Sequence, residues 1–245
     1  MEDGIRLNKF LAEAGIASRR GSDKLIEEGR VQIGGVTAHL GSKVMPGDRV
    51  TVDGTPVKAD TGGTVILAFN KPRGIVCTAN RADPDNIIDY IGYPRRIFTV
   101  GRLDKDSEGL ILLTNDGALA DKIMRSRYGH EKEYIVTVDR DLTPEFLRDM
   151  AKGVEIEEGV VTRRCKTELI DPRCFRIVLK QGLNRQIRRM CEALGYNVES
   201  LVRVRIMNIR LGKLHTGSYR DLSKTEKQEL LDELELAELE PKDPE

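Results

Sequence analysis

The eight residues Pro56 to Gly63, PVKADTGG, divide this chain into two stretches with different hydrophobic patterns. Before them, apolar residues recur at helical spacing and then in short alternating runs. After them, strand-like apolar runs interleave with helical ones. A polar segment holding Pro and paired Gly is a natural boundary. The pattern predicts a small domain over 1–55, a linker over 56–63, a main domain over 64–225 and an acidic helix or tail over 226–245. At 245 residues the chain is long enough for both domains to bury cores.

The formal net charge of zero hides an asymmetry. Glu226 to Glu245 holds nine acidic and two basic residues, which leaves the first 225 residues with a net charge of +7. A basic body suits a nucleic-acid partner, whereas the tail reads as a solvated helix. No apolar run approaches the roughly 20 residues that cross a bilayer. The N-terminus MEDGIRLNKF lacks the layout of a signal peptide, so a cytoplasmic protein with no membrane contact is expected. Cys77, Cys165, Cys174 and Cys191 are scattered and read as free thiols, and with only three histidines no metal site is expected.

In residues 5–31, Leu7, Phe10 and Leu11 mark a first helix that Gly15 stops. Ser18 is placed to cap a second, which turns Leu25 and Ile26 inward and ends at Gly29. Val31 to Ala38 reads as a hairpin turning at Gly34-Gly35, and a further strand completes a small α/β unit. Arg6, Lys9, Arg19, Arg20 and Lys24 form a basic cluster on and around the start of the second helix, where free N–H groups and a positive dipole end suit a phosphate. The order helix, Ser-Arg-Arg, helix, Gly-Arg-Val, Gly-Gly, Pro-Gly-Asp over residues 5–54 resembles the S4 RNA-binding domain.

In the main domain, strands are expected at 64–70, 97–100, 110–114, 133–138, 160–165, 175–180 and 198–206. Helices are expected at 84–91, 118–125, 143–152, 184–194 and 224–239. Strands and helices interleave without a strict repeat, so the class is α+β: a mixed, mainly antiparallel sheet flanked by helices.

Three segments could carry chemistry. Phe98 to Leu119 crowds Arg102, Asp104, Asp106 and Glu108 into a strand-to-loop turn, and spacing alone does not choose among the carboxylates. Gln181 to Lys213 holds seven basic residues against two acidic, with Arg185, Arg188 and Arg189 on one face of a helix. Tyr134 begins a strand beside basic residues, a position from which an aromatic ring could stack on a flipped base.

Taken together and in order, GRLD (101–104), SEGL (107–110), NDG (115–117), KEY (132–134) and GLNRQIRRM (182–190) resemble the motifs of the pseudouridine synthases. The branch is that of the ribosomal RNA enzymes with an N-terminal S4 domain, and the resemblance spans about residues 5–225. GRLDKDSEGL, HEKEYIVTV, GLNRQIRRMC and RIMN are most similar to the F-type large-subunit enzymes, which modify a uridine in the peptidyl-transferase region of 23S rRNA. This resemblance implies that Asp104 is the catalytic aspartate, that Tyr134 stacks on the target base and that Arg188 pairs with Asp104. It also implies that Arg102 helps hold the RNA with its uridine turned out, and it leaves Asp106 as a surface charge. Arg185, Arg189 and the N-terminal basic cluster would contact RNA. The implied protein is a monomer that binds ribosomal RNA or a large-subunit assembly intermediate, with no cofactor. The alternatives are the same chemistry on small-subunit rRNA or a tRNA anticodon arm, or a non-catalytic S4-type assembly factor.

Overall fold

The computed structural model describes residues 4–58, 62–125 and 129–239. The chain forms two compact units, Met1–Thr64 and Val65–Glu245.

In the first unit the helices Leu7–Glu13 and Arg19–Glu27 form where their apolar spacing places them. Ser18 caps the second, its Oγ accepting from the Gly21 N–H at 3.0 Å, an arrangement worth about 1 kcal/mol. Leu7, Leu11 and Ile26 close a core with Val31, Ala38, Val44 and Val50. The strands Val31–Ile33 and Val36–Thr37 turn through Gly34 and Gly35 at φ +58° and +85°. A two-residue turn needs that left-handed backbone to match the strand twist. Val31–Ile33 also pairs with Val50–Val52, which in turn pairs with Thr55–Pro56. The first unit therefore runs past the expected boundary at 55, and Val57 packs on its core. Pro56 is tolerated there because an edge strand needs no donor on its outer side. The rest of the expected linker lies partly outside the described residues.

The second unit is built on one nine-stranded sheet among the described residues. Its main path runs Lys166–Asp171, Cys174–Leu179, Lys132–Val138, Val198–Ile206, Glu108–Thr114, Ile66–Lys71 and Tyr219–Asp221. Phe98–Val100 and Ile209–Arg210 pair beside it. Ile66–Lys71 is buried along its whole length and Glu108–Thr114 nearly so, because both faces of the sheet are covered here. One face packs Ile66, Ala68, Leu110 and Leu112 on the helices Gly117–Met124 and Lys224–Leu239. The other packs Leu67, Phe69, Ile111 and Leu113 on Ile87 and Leu103. A separate core lies under Lys132–Val138 and Cys174–Leu179, covered by the helices Pro144–Lys152 and Gln186–Ala193.

All these pairings are antiparallel except one. Glu108–Thr114 and Val198–Ile206 run parallel and meet at only two positions, Glu108 opposite Val202 and Gly109 opposite Arg203. Gly109 sits at φ +98°, and a Cβ there would lie 2.4 Å from the Arg203 carbonyl oxygen. No side chain fits, so this glycine is the hinge pin between the two halves of the sheet.

Three expectations need correction. The strand expected at 160–165 is instead a small hairpin, Glu155–Glu157 with Val160–Val161. The stretch after it is spent elsewhere: Cys165 N–H donates to Ala151 O on the neighbouring helix at 3.0 Å, and Arg163 N–H to the Gln181 side chain at 3.0 Å. The acidic helix is not a detached solvated element, since Leu230 and Leu234 are buried in the sheet core; residues 240–245 of the tail lie outside the described set. Arg185, expected within a helix, is its N-cap with φ +47°. No described helix is long and apolar enough to cross a membrane.

Candidate active site

The loop that follows Phe98–Val100 carries Asp104 and is fixed through its backbone. Asp104 O accepts from Ser107 N–H at 3.1 Å, and Lys105 O from Gly74 N–H at 2.8 Å. Asp106 O accepts from Arg73 Nε at 3.2 Å and from Arg188 Nη2 at 3.0 Å. Ser107 O accepts from Lys71 Nζ at 2.8 Å, and the same ammonium donates to Pro72 O at 2.8 Å. Lys71 is wholly buried. Burial depresses its pKa, while the surrounding thiol and carboxylate charges work to raise it. The turn Lys71-Pro72-Arg73-Gly74 is thus the mould of the loop. Leu103 faces inward and Asp104 projects into a cleft, its side chain about one-third exposed.

The cleft has a volume of about 680 Å³, within the roughly 300–1,000 Å³ usual for a ligand site. It brings together Arg102, Asp104, Tyr134 and Arg185 from the residues expected at the site, and adds Lys132, Lys180 and Arg203. Asp104 is the single carboxylate among its lining residues, against five cations. Arg102, Lys180 and Arg185 are exposed at the rim.

Tyr134 and Arg203 stand directly opposite on paired strands, with the guanidinium carbon 6.0 Å from the ring centroid. Arg203 is 3% exposed. Its Nε donates to Leu110 O at 2.7 Å and its Nη1 to Arg102 O at 3.4 Å. Its Nη2 is buried without a hydrogen-bond partner among the described residues. Lys132, two residues before Tyr134, shares its side of the strand. Burial and the nearby Arg203 charge bring the Lys132 ammonium down to about 8. The flanking Glu131 and Glu133 turn away and hold Arg205, at 3.0 and 2.8 Å.

The opposite wall, residues 181–186, carries Arg185. Its fork donates to both Asp106 oxygens at 3.2 and 3.1 Å, and Nη1 lies 3.7 Å from Asp104 Oδ2. Two expectations are corrected here. Arg188 does not pair with Asp104. It is pinned under the loop, donating to Asp106 O and to Val198 O at 3.2 Å, with Nε 3.3 Å from the Asp106 carboxylate but off the hydrogen-bond line. Asp106 is not an idle surface charge but the clamp for both arginines. Burial alone would raise its pKa, and the Arg185 hydrogen bonds with the two guanidinium charges outweigh this and hold it below the usual value.

Arg189 is also placed elsewhere, bound to Glu157 at 2.7 Å and to Ile156 O at 3.1 Å. In the first unit, Arg6, Arg19 and Arg20 are exposed, while Lys9 and Lys24 make loose pairs with Glu13 and Glu28 at 3.7 and 3.8 Å. Sequence reasoning passed over Lys132 and Arg203. The alternation Lys132, Tyr134 along a strand was the signal for the first; Arg203 had none, since its partner face is set by a distant strand.

A family model described as RNA pseudouridylate synthase matches residues 65–193, and an S4 domain model matches residues 5–50. The dual-specificity RNA pseudouridine synthase RluF of Escherichia coli (strain K12) is 50% identical over 226 residues, 92% of this chain and 78% of that protein. Ribosomal large subunit pseudouridine synthase B of Bacillus subtilis (strain 168) is 37% identical over 226 residues, 89% of this chain and 92% of that one. A crystal structure of a pseudouridylate synthase superposes with a TM-score of 0.68 at 29% identity, covering 92% of this chain and 99% of that one. The cleft with its single carboxylate lies within a chain that belongs to the RNA pseudouridylate synthase family and carries an S4 domain.

Proposed function

We propose that this synthase isomerises a uridine of large-subunit, 23S ribosomal RNA in the peptidyl-transferase region, as a cytoplasmic monomer, and that Asp104 is its catalytic residue. The observation that carries the assignment of Asp104 is its isolation: one carboxylate, on a loop fixed by four backbone carbonyls, in a cleft whose other charged residues are all cations.

The reaction breaks N1–C1′, turns the uracil and rejoins it through C5, with no net oxidation. Breaking a glycosidic bond builds positive character at C1′, which a carboxylate stabilises. Asp104 either attacks C1′ or removes the C2′ proton before the base adds back. To reach the sugar the nucleotide must leave its stack, at a cost of a few kcal/mol. Tyr134 offers the ring on which the extruded base stacks. Arg102 and Arg185 at the rim take phosphates, as do Arg6, Lys9, Arg19, Arg20 and Lys24 of the S4 unit. Arg188 acts by holding the loop.

The test is a map of pseudouridine across ribosomal and transfer RNA from cells with and without this gene. Loss of one 23S rRNA pseudouridine is expected. Loss confined to small-subunit rRNA would overturn the target. A second RNA target has one point in its favour, the dual specificity stated in the name of the E. coli relative; concurrent loss of a pseudouridine from a second RNA, such as a tRNA anticodon arm, would establish it.

A further inference from the structure

The cations of the cleft fall into two sets. Arg102, Lys180 and Arg185 at the rim are exposed, as phosphate contacts should be. Lys132 and Arg203 are on the floor, on the same side of the sheet as Tyr134. Neither has a carboxylate partner among the described residues, and Arg203 is 3% exposed with one donor unsatisfied. A buried guanidinium beside a half-buried ammonium, with no anion between them, is costly, and such pairs persist where an anion arrives or forms. Glu131 and Glu133, adjacent in sequence, are committed to Arg205 and do not relieve them.

Resting on the reading of this cleft as a uridine isomerisation site, we propose that Lys132 is a further catalytic residue, which stabilises the uracil anion as it departs. Breaking N1–C1′ leaves the bonding electron pair on N1, and resonance spreads the charge to the ring oxygens O2 and O4. The Lys132 ammonium, beside the Tyr134 platform, donates to one of these oxygens. Arg203 adds its field from beneath the ring without touching the base. When C5 bonds to C1′, the C5 proton is lost and N1 gains one, so the charge is discharged and Lys132 ends as it began. A phosphate is the competing anion for this floor. The rim cations meet the RNA backbone first, and the floor lies at the depth of the stacking ring. Desolvation, which brings the ammonium down to about 8, also strengthens its hydrogen bond to an anion.

The experiment uses the full chain with Lys132→Met, Lys132→Gln and Lys132→Arg. Single-turnover rates at saturating RNA are measured on 23S rRNA transcripts bearing either uridine or 5-fluorouridine at the mapped site, the latter read as loss of intact 5-fluorouridine from nuclease digests. Fluorine withdraws electrons and makes the departing base a better leaving group, so it needs less help. The neutral variants should lose about 100-fold in rate on uridine, several-fold less on 5-fluorouridine, and keep their RNA affinity. Lys132→Arg should recover most of the rate. Equal losses on both substrates, or weaker RNA binding with an unchanged saturated rate, would assign Lys132 to phosphate or structure and overturn the proposal. So would unchanged rates. Wild-type protein that forms no pseudouridine would instead sink the reading of the site. Should Lys132→Met fail to fold, Lys132→Gln and Lys132→Arg still separate charge from packing.

Discussion

On one wall of the cleft, residues 104–107 direct their carbonyl oxygens to Lys71, Arg73, Gly74, Ser107 and Arg188, several of them well buried. On the other, residues 181–186 rest on two glutamine side chains and an exposed ion pair: Gln186 Oε1 accepts from Leu183 N–H at 3.0 Å, and Arg185 grips Asp106. The difference separates two tasks. A group that breaks a bond has to stay where it is, so its wall is set by contacts that water and RNA cannot compete for. A group that grips RNA must exchange its partner, and an exposed Arg–Asp pair is worth little enough for a phosphate to displace it. Substitutions on the first wall should therefore act on stability and turnover, and those on the second on RNA affinity and its salt dependence.

The largest effect is expected at Gly109. Gly109→Ala introduces a Cβ where the Arg203 carbonyl already lies, at a positive φ, and should cost about 3–4 kcal/mol in urea unfolding with loss of turnover. An unchanged midpoint would show that the two-residue parallel seam does not hold the halves of the sheet. Lys71→Met comes next. It takes a donor from the buried Ser107 O and from the part-buried Pro72 O and should cost about 2 kcal/mol, with turnover reduced and RNA affinity kept. If RNA affinity fell instead while stability held, the division between the walls would fail.

Arg185→Ala should leave the urea midpoint unchanged to within about 0.5 kcal/mol. It should weaken RNA binding and lower the slope of log K against log salt by about one. An unaltered salt slope would mean that Arg185 stays on Asp106 in the complex. The last comparison is read in pH, at Lys132, whose ammonium sits at about 8 in the folded chain against an ordinary 10.5. Between those values the unfolded chain binds a proton that the folded chain does not. This group therefore makes stability rise with pH from about 8 to 10.5 and contributes a constant penalty below that range. Urea midpoints for wild type and Lys132→Met at pH 8 and pH 10 should differ less at the higher pH. Parallel shifts would remove Lys132 from the linkage.

What could be read from the sequence follows from what is local. Ser18 caps its helix as its position indicates, and Gly34-Gly35 turns its hairpin, because each depends on residues within four of itself. Tyr134 and Asp104 were found through motifs and do share a cleft. The partner of Arg188 was not legible, since Asp104 and Asp106 are two residues apart and only the loop backbone decides which carboxylate faces which guanidinium. The Tyr219–Asp221 strand was missed for a similar reason: three residues with one apolar side chain become a strand only because Ile66–Lys71 offers an edge. Arg203 gave no sign of being buried, as the strand pattern VRVRI places Arg203 and Arg205 alike by periodicity. The fold gives Arg205 two carboxylates and Arg203 none.

The most direct test of the central claim is single-turnover pseudouridine formation by Asp104→Asn on the mapped RNA, with RNA affinity measured in the same preparation. Product no higher than background with affinity retained is the predicted result. Pseudouridine formed at the wild-type rate would contradict the assignment of Asp104 as the residue that breaks the glycosidic bond.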